Sequence, residues 1–386
     1  MHNFDYRNPV NLIFGKNQIA KLNQLIPASS KILLASGGGS IKQNGVYDQV
    51  ISALNGYTIV EFAGIPSNPN YETLIDAIKL CKEQKIDFIL AVGGGSVIDG
   101  VKFIAAAVNY PGDDYWEIMR GKNSLKTKQV IPFGCILTMP ATGSEVNAWS
   151  VVSKRQTQEK LSFYHPDCYP QFAILDPLTT YSIPKRHLIN GIIDPFVHVT
   201  EQYITTDLNS KIQDGIAQTV LQTLIEIGPK IINDVNPNYD DRANWMLSAS
   251  FALNGTICMG ADEDWATHMI GHELTALYDL DHAQTLAILT TKVWQYKRKH
   301  KSEKLLKYAN NVWGLDISNP DAAIDQVIKL TEDFFIKLGA KTHFSDYGIS
   351  CDPDKVIANL RRSQMLPLGE HRDIDESAVR EILSKC

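Results

Sequence analysis

The chain has 386 residues, 44% of them hydrophobic and 21% charged, with a formal net charge of -6 and a pI near 5.9. That apolar content over that length predicts two ordinary domain cores and excludes disorder. An acidic balance without any long basic run argues against nucleic acid or an acidic membrane surface as partner and leaves a small molecule. The first segment, MHNFDYRNPVNLIF, lacks a charged region followed by an apolar core, and six cysteines are scattered with no CxxC pair. Reduced thiols in the cytoplasm, with no secretory signal, are therefore expected. The apolar runs are too short to span a bilayer, so no membrane association is expected.

In chain order, KILLAS precedes a glycine cluster, TIVEFAG follows, and DFILAVGGGS leads into the helix-like VIDGVKFIAAAV. VIPFGCILTMP and FAILDP read as two further strands. Strands alternating with helices predict a parallel sheet covered on both faces. From about Pro184 the pattern changes to long helical-period segments such as IQDGIAQTVLQTLIEIGPKIIND and AAIDQVIKLTEDFFIKLGA. The division expected is an α/β domain over 1–183 and an all-helical domain over 184–386, with Pro184 opening a helix at SIPKRH.

Two glycine turns follow strands, Ser36-Gly37-Gly38-Gly39-Ser40 and Val92-Gly93-Gly94-Gly95-Ser96 running on to Asp99. Glycine lets backbone approach a ligand, and a strand-to-helix turn aims free N–H groups and a positive dipole end at an anion such as a nucleotide phosphate. Neither turn spells GxGxxG, and each alone also suits a plain tight connection. After a third strand, TMPATGSEVN presents Thr138, Thr142, Ser144 and Asn147, which suit either a cofactor or an ordinary polar loop.

In the second half Asp194 and His198 sit four apart in GIIDPFVHVTEQY, on one helix face. His268 and His272 are again four apart in DWATHMIGHELTALYDLDHAQT, and His282 lies ten further on. One carboxylate with two or three imidazoles suits Zn²⁺ or Fe²⁺. The same spacing is also met by histidines that are merely packed or hydrogen-bonded.

Together these segments resemble the metal-dependent, group III (iron-containing) alcohol dehydrogenase family along essentially the whole chain. FGKNQIAKL, GGGSVID, PATGSEVN, AILDPLTTYSIPKRHLINGIIDPFVHVTEQY and DWATHMIGHELTALYDLDHAQT stand in the family's order. WATHMIGHELTA and LDHAQTLAI are similar to its bacterial butanol dehydrogenase and NADPH-dependent aldehyde reductase branch. The resemblance implies an N-terminal Rossmann-like α/β domain with a parallel sheet and an all-α C-terminal metal-binding domain, the dehydroquinate synthase-like architecture. It implies metal ligands at Asp194, His198, His268 and His282, and a pyrophosphate site at Gly94, Gly95 and Ser96 with Asp99 just behind. It further implies Lys160 at the nicotinamide ribose, and Asn68, Thr138, Thr142 and Asn147 at other cofactor contacts. His272 matches a family histidine near nicotinamide and substrate, outside the ligand set, suited to relay a proton. A homodimer is implied likewise. Asp281-His282-Ala283 departs from the wider family's Pro-His-Gly, which weakens the transfer of substrate preference from other branches.

The chemistry expected is hydride transfer between NADP(H) and an aldehyde or primary alcohol, the cofactor supplying the hydride and Zn²⁺ or Fe²⁺ acting as Lewis acid on the carbonyl oxygen. The first turn carries no acid to repel a 2′-phosphate; Gly38 and Gly39 let the backbone approach, Ser40 can donate, and Lys42 adds a favourable charge, so NADPH is the expected cofactor. The chief rival is a metal-dependent lyase of the dehydroquinate synthase type, against which GHELTALYDLDHAQ speaks. A metallohydrolase would need no dinucleotide turns, and a non-catalytic nucleotide-binding protein would show a closed structural metal site.

Overall fold

The structure, a computed structural model, describes residues 1–121 and 129–386. It divides into two compact units, residues 8–183 and residues 184–386 together with 1–7.

In the first unit six strands form one parallel sheet: β1 (Asn11–Phe14), β2 (Lys31–Ser36), β3 (Thr58–Phe62), β4 (Phe88–Gly94), β5 (Phe133–Met139) and β8 (Phe172–Leu175). Their order is β1-β8-β5-β4-β2-β3. The central strands read as near-continuous apolar runs because both their faces are covered. Ile32, Leu34, Phe88, Leu90, Val92, Ile136 and Ile174 share one core with Ile41, Val46 and Val50 from the helical segments after β2. The five strands expected from apolar runs all form. Three more form that the sequence reading does not name: the edge strand β1, short and largely exposed, and an antiparallel pair, β6 (Trp149–Lys154) with β7 (Glu159–Tyr164).

β4 runs directly into the helix Gly95–Ala107 without a loop. The β4–β5 register shifts between Gly93 and Gly94, and a Cβ on Gly93 would lie 2.5 Å from Val97 Cγ2. Glycine is thus required by the chain's own tight corner before any ligand is considered.

The second unit is helical. Lys185–Tyr203, Lys211–Asn233, Tyr239–Ala252, Ala266–Tyr278 and His282–Tyr296 come first, followed by Ser302–Trp313, Pro320–Leu338, Pro353–Arg362 and Glu376–Ser384. Ile270, Leu274, Ile288 and Leu289 pack with Val356, Leu360, Val379 and Ile382, so the helices Ala266–Tyr278 and His282–Tyr296 are backed by the last two of the chain. The N-terminal residues join this unit: the His2 amide donates to Gly260 O at 2.9 Å, and the Tyr6 hydroxyl to Asn254 O at 3.2 Å. Helical periodicity gives no sign of that attachment. Among the described residues no helix is long and apolar enough to cross a membrane.

Candidate active site

Three helices of the second unit bring four side chains together: the donor atoms of Asp194, His268 and His282 lie within 4.8 Å of one another, and His198 stands beside Asp194. Asp194 and His198 come from Lys185–Tyr203, His268 from Ala266–Tyr278, and His282 is the first residue of its own helix. Asp194 Oδ1 lies 3.6 Å from His198 Nε2, 3.7 Å from His268 Nε2 and 3.7 Å from His282 Nε2. Ligand atoms each about 2.1 Å from a tetrahedral ion stand about 3.4 Å apart, so this spacing suits one divalent ion. Asp194, His198 and His268 are buried, and His282 is partly exposed. His268 Nε2, although buried, has no hydrogen-bond partner among the described residues. A buried polar atom in that state is costly, and a cation would relieve it.

The local sequence explains how the first helix carries this load. Pro195 stands between Asp194 and His198, where its missing N–H leaves the carbonyl of Gly191 without its helical donor. The indole Nε1 of Trp245 donates to that carbonyl at 2.6 Å. The Pro therefore sits inside a continuous helix at no loss of hydrogen bonding at Gly191.

Glu201 is the site residue that sequence reasoning missed. Its carboxylate accepts from the backbone N–H groups of Thr267 (2.7 Å) and His268 (3.3 Å), capping the start of the Ala266–Tyr278 helix, and it is hydrogen-bonded to His268 Nδ1. A carboxylate on one ring nitrogen fixes the tautomer and leaves the other nitrogen directed toward Asp194, where it could meet a metal ion. Asp194, His198 and Glu201 lie at i, i+4 and i+7, so a buried acid continuing the ligand stripe was the available signal.

Asp281, the departure from the wider family, has a visible use. It is the N-cap of the His282 helix and forms a reciprocal capping box with Gln284. Its Oδ2 also accepts from Arg186 Nε (2.7 Å) and Asn190 Nδ2 (2.8 Å), tying the start of the His282 helix to the helix that carries Asp194 and His198.

Electrostatics divide the imidazoles. Burial pushes His198 down to about 4, with Asp194 opposing, so it is neutral and able to donate a lone pair at neutral pH. Burial also works against a charged His268, but the carboxylates of Glu201 and Asp194 outweigh it and hold that ring up to about 9. The surroundings of His268 thus favour a positive charge, which a metal ion can supply in place of a proton. His272 is buried with its ring centroid 5.2 Å from that of His282 and 6.5 Å from that of His268, beside the cluster.

In the sheet unit the second glycine turn collects most of the remaining expected residues. Gly94 is the N-cap of the Gly95–Ala107 helix and offers no side-chain cap, which leaves first-turn N–H groups for an anion. A Cβ on Gly95 would lie 2.2 Å from Thr142 Oγ1 and one on Gly94 3.0 Å from Met139 Cβ, so the turn fits closely against the PATGSEVN loop. Thr138 is buried on β5 beside Met139. Lys160 Nζ donates to Asn68 Oδ1 at 3.0 Å, and the Asn68 amide to Ser96 Oγ at 3.3 Å, joining three distant segments.

Asn147 and Asp99 hold the loop from behind. Asn147 Oδ1 accepts from Lys102 Nζ (3.0 Å) and the Trp149 amide (3.0 Å), while its Nδ2 donates to Gly143 O. Asp99 accepts from Ser144 Oγ (2.5 Å) and the Val151 amide (3.2 Å). Lys102 was not expected from sequence. It is fully buried, donating to Ser144 Oγ, Asn147 Oδ1 and Trp149 O, and burial lowers it to about 8 while Asp99 opposes. A lysine three residues after an acid in an otherwise apolar helix was its sequence signal.

At the first turn Gly38 and Gly39 have open space where a Cβ would stand, and Gly39 has φ +102°. Ser40 begins the short helix that follows. Lys42 does not act as the sequence reading expects: its ammonium is paired with Glu61 Oε2 at 3.1 Å and lies over the Tyr47 ring. The acid absent from the turn stands on the neighbouring strand.

Comparison with known proteins places the chain in a family. The sequence profile described as "Iron-containing alcohol dehydrogenase" matches residues 9–177, and "Fe-containing alcohol dehydrogenase family, C-terminal" matches residues 188–386. The chain is 49% identical to the NADPH-dependent aldehyde reductase YqhD of Escherichia coli, over 99% of each chain. It is 42% identical to the probable NADH-dependent butanol dehydrogenase 1 of Bacillus subtilis, again over 99% of each. The crystal structure of E. coli YqhD superposes with a TM-score of 0.97 at 48% identity, covering 100% of this chain and 98% of that one. With both profiles matched in sequence order and relatives aligned from end to end, the chain is an oxidoreductase of the iron-containing alcohol dehydrogenase family.

Proposed function

We propose that the protein transfers a hydride between NADP(H) and an aldehyde/primary alcohol pair, acting as an aldehyde reductase or butanol-type alcohol dehydrogenase. The observation that carries this reading is the meeting of one carboxylate and three imidazole nitrogens around Asp194 Oδ1, within a family of dehydrogenases. Asp194, His198, His268 and His282 would hold one Zn²⁺ or Fe²⁺, which when bound supplies Lewis acidity toward a carbonyl oxygen. A bound nicotinamide would supply the hydride.

The chain's own residues bind and orient. Glu201 presents His268 through Nε2, and Asp281 fixes the start of the His282 helix. Gly94, Gly95 and Ser96 offer N–H groups to the pyrophosphate, with Thr138 and Thr142 beside them and Asp99 and Asn147 shaping the loop. Lys160, oriented by Asn68, is assigned to the nicotinamide ribose. Gly38, Gly39 and Ser40 receive the adenosine ribose and its 2′-phosphate; the open space at both glycines and the NADPH dependence named for the E. coli relative support that choice. His272, buried beside the ligands, is assigned the proton relay for the substrate oxygen.

A homodimer and a cytoplasmic setting complete the proposal. β1 lies at the edge of the sheet with Leu12 and Phe14 each more than a third exposed, which suits association, and all six cysteines are free thiols.

The test is metal analysis of freshly purified protein joined to a panel of aldehydes with NADPH and NADH. Stoichiometric iron or zinc and metal-dependent NADPH oxidation are expected; a protein that binds neither dinucleotide would be incompatible with this function. His272→Ala should retain its metal while losing rate and changing its pH profile. Loss of stoichiometric metal in that variant would move His272 into the ligand set.

A further inference from the structure

The acid that selects NAD in many nucleotide folds lies at the carboxyl end of the strand beside the glycine turn, about 20 residues on, where it takes the ribose 2′-hydroxyl. Here that place is held by Glu61. It is the fourth residue of β3, the strand parallel to β2, whose end opens into Gly37-Gly38-Gly39. The chain after β3 is fastened to the turn itself: the Gly64 amide donates to Gly37 O (3.0 Å) and the Ile65 amide to Ser36 O (3.1 Å).

The Glu61 carboxylate is engaged on both oxygens. Tyr47 Oη donates to Oε1 at 2.5 Å and Lys42 Nζ to Oε2 at 3.1 Å. The Lys42 amide is bonded to Gly39 O at 3.1 Å, so this lysine belongs to the turn by its backbone and reaches across to the strand by its side chain. Tyr47, followed by Lys42, holds the Glu61 carboxyl below its usual range, so the charge being covered is a full one at neutral pH. Beside this trio Gly38 has open space at an ordinary φ.

We propose that Lys42 and Tyr47 mask Glu61, and that this masking sets the cofactor preference of the glycine turn. Covered, the carboxylate neither accepts from a ribose 2′-hydroxyl nor repels a 2′-phosphate; uncovered, it does both. The inference rests on the reading above that this turn receives the adenosine ribose of a nicotinamide dinucleotide. It differs from the simpler idea that Lys42 binds the phosphate directly, because it requires Glu61 for Lys42 to matter.

The experiment uses the full-length, metal-loaded protein and the variants Lys42→Met, Glu61→Gln and the double variant. Both side chains are about half exposed, so the variants should fold, and thermal melting checks that they do. Dissociation constants for NADPH and NADH are read by fluorescence titration, independent of turnover. Lys42→Met should lower the preference for NADPH over NADH by about fivefold, a magnitude suited to an exposed charge pair. Glu61→Gln should raise it or leave it at the parent value, and in that background Lys42→Met should have little further effect. An equal effect of Lys42→Met with and without Glu61, or an unchanged ratio in Lys42→Met, overturns the masking. The readout is the change in ratio, so a parent that prefers NADH overturns the cofactor choice proposed above and leaves this test standing. Binding of neither dinucleotide overturns both.

Discussion

The ligand cluster of the helical unit and the glycine turns of the sheet unit are built on opposite principles. In the cluster, side chains from three helices aim donor atoms at one point, and further side chains, Glu201 and Asp281, exist to hold them there. In the turns the groups proposed to meet the cofactor are backbone N–H, and the polar side chains around the second turn, Asp99, Lys102, Ser144 and Asn147, are mostly spent on one another. The first kind of site fails when an atom is removed. The second fails when an atom is added.

The most severe way to probe that contrast is His268→Ala. Removing a direct ligand should cost on the order of 100-fold or more in activity and most of the bound metal, while NADPH affinity stays near the parent's. Metal content and dinucleotide titration on the same sample decide it; metal-free protein with full turnover would contradict the proposed chemistry. Glu201→Gln keeps the shape but loses a charge, so the His268 imidazole and two helix N–H groups lose their anionic acceptor. A drop of about 10–100-fold in metal affinity is expected by chelator competition, and an unchanged value would reduce Glu201 to a helix cap.

Gly95→Ala tests the other region by addition. Its Cβ would fall 2.2 Å from Thr142 Oγ1, so the helix start and the PATGSEVN loop must part. Strain of about 1–3 kcal/mol corresponds to roughly 5- to 150-fold in cofactor affinity, with metal content unchanged. Metal loss in this variant would mean that the two regions are not separable as argued. The smallest effect is expected from Asp281→Ala, which removes a helix cap and two hydrogen bonds from the side chains of the ligand-bearing helix. About 1 kcal/mol of stability should go, read as a lower Tm, with a modest loss of metal affinity. Unaltered metal affinity would limit Asp281 to capping.

Central strands such as KILLAS and FAILDP were legible because burial on both faces leaves a continuous apolar run, and the long helices because their periodicity is local. β1 and the β6–β7 pair were not, since a short exposed edge and a small hairpin carry little apolar signal.

Within the site, helical geometry alone puts Asp194 and His198 on one face, and two glycine turns after strands point to an anion. Sequence spacing does not separate His268 from His272, because one helical turn brings both near the same ends of the helix. Packing places the Nε2 atoms of His198, His268 and His282 each within 3.7 Å of Asp194 Oδ1, with the His272 ring 5.2 Å from that of His282. Glu201 and Lys102 were hidden for the same reason: a buried charge is recognised by its partners, and theirs lie 42 to 67 residues away along the chain. Lys42 shows the converse. Sequence supplies its charge beside the glycine turn, but the neighbouring parallel strand supplies Glu61, and pairing across the sheet determines whether that charge is spent. Local periodicity and composition thus determine elements and candidate donors; through-space pairing of groups far apart in sequence decides which donors converge and which charges are already satisfied.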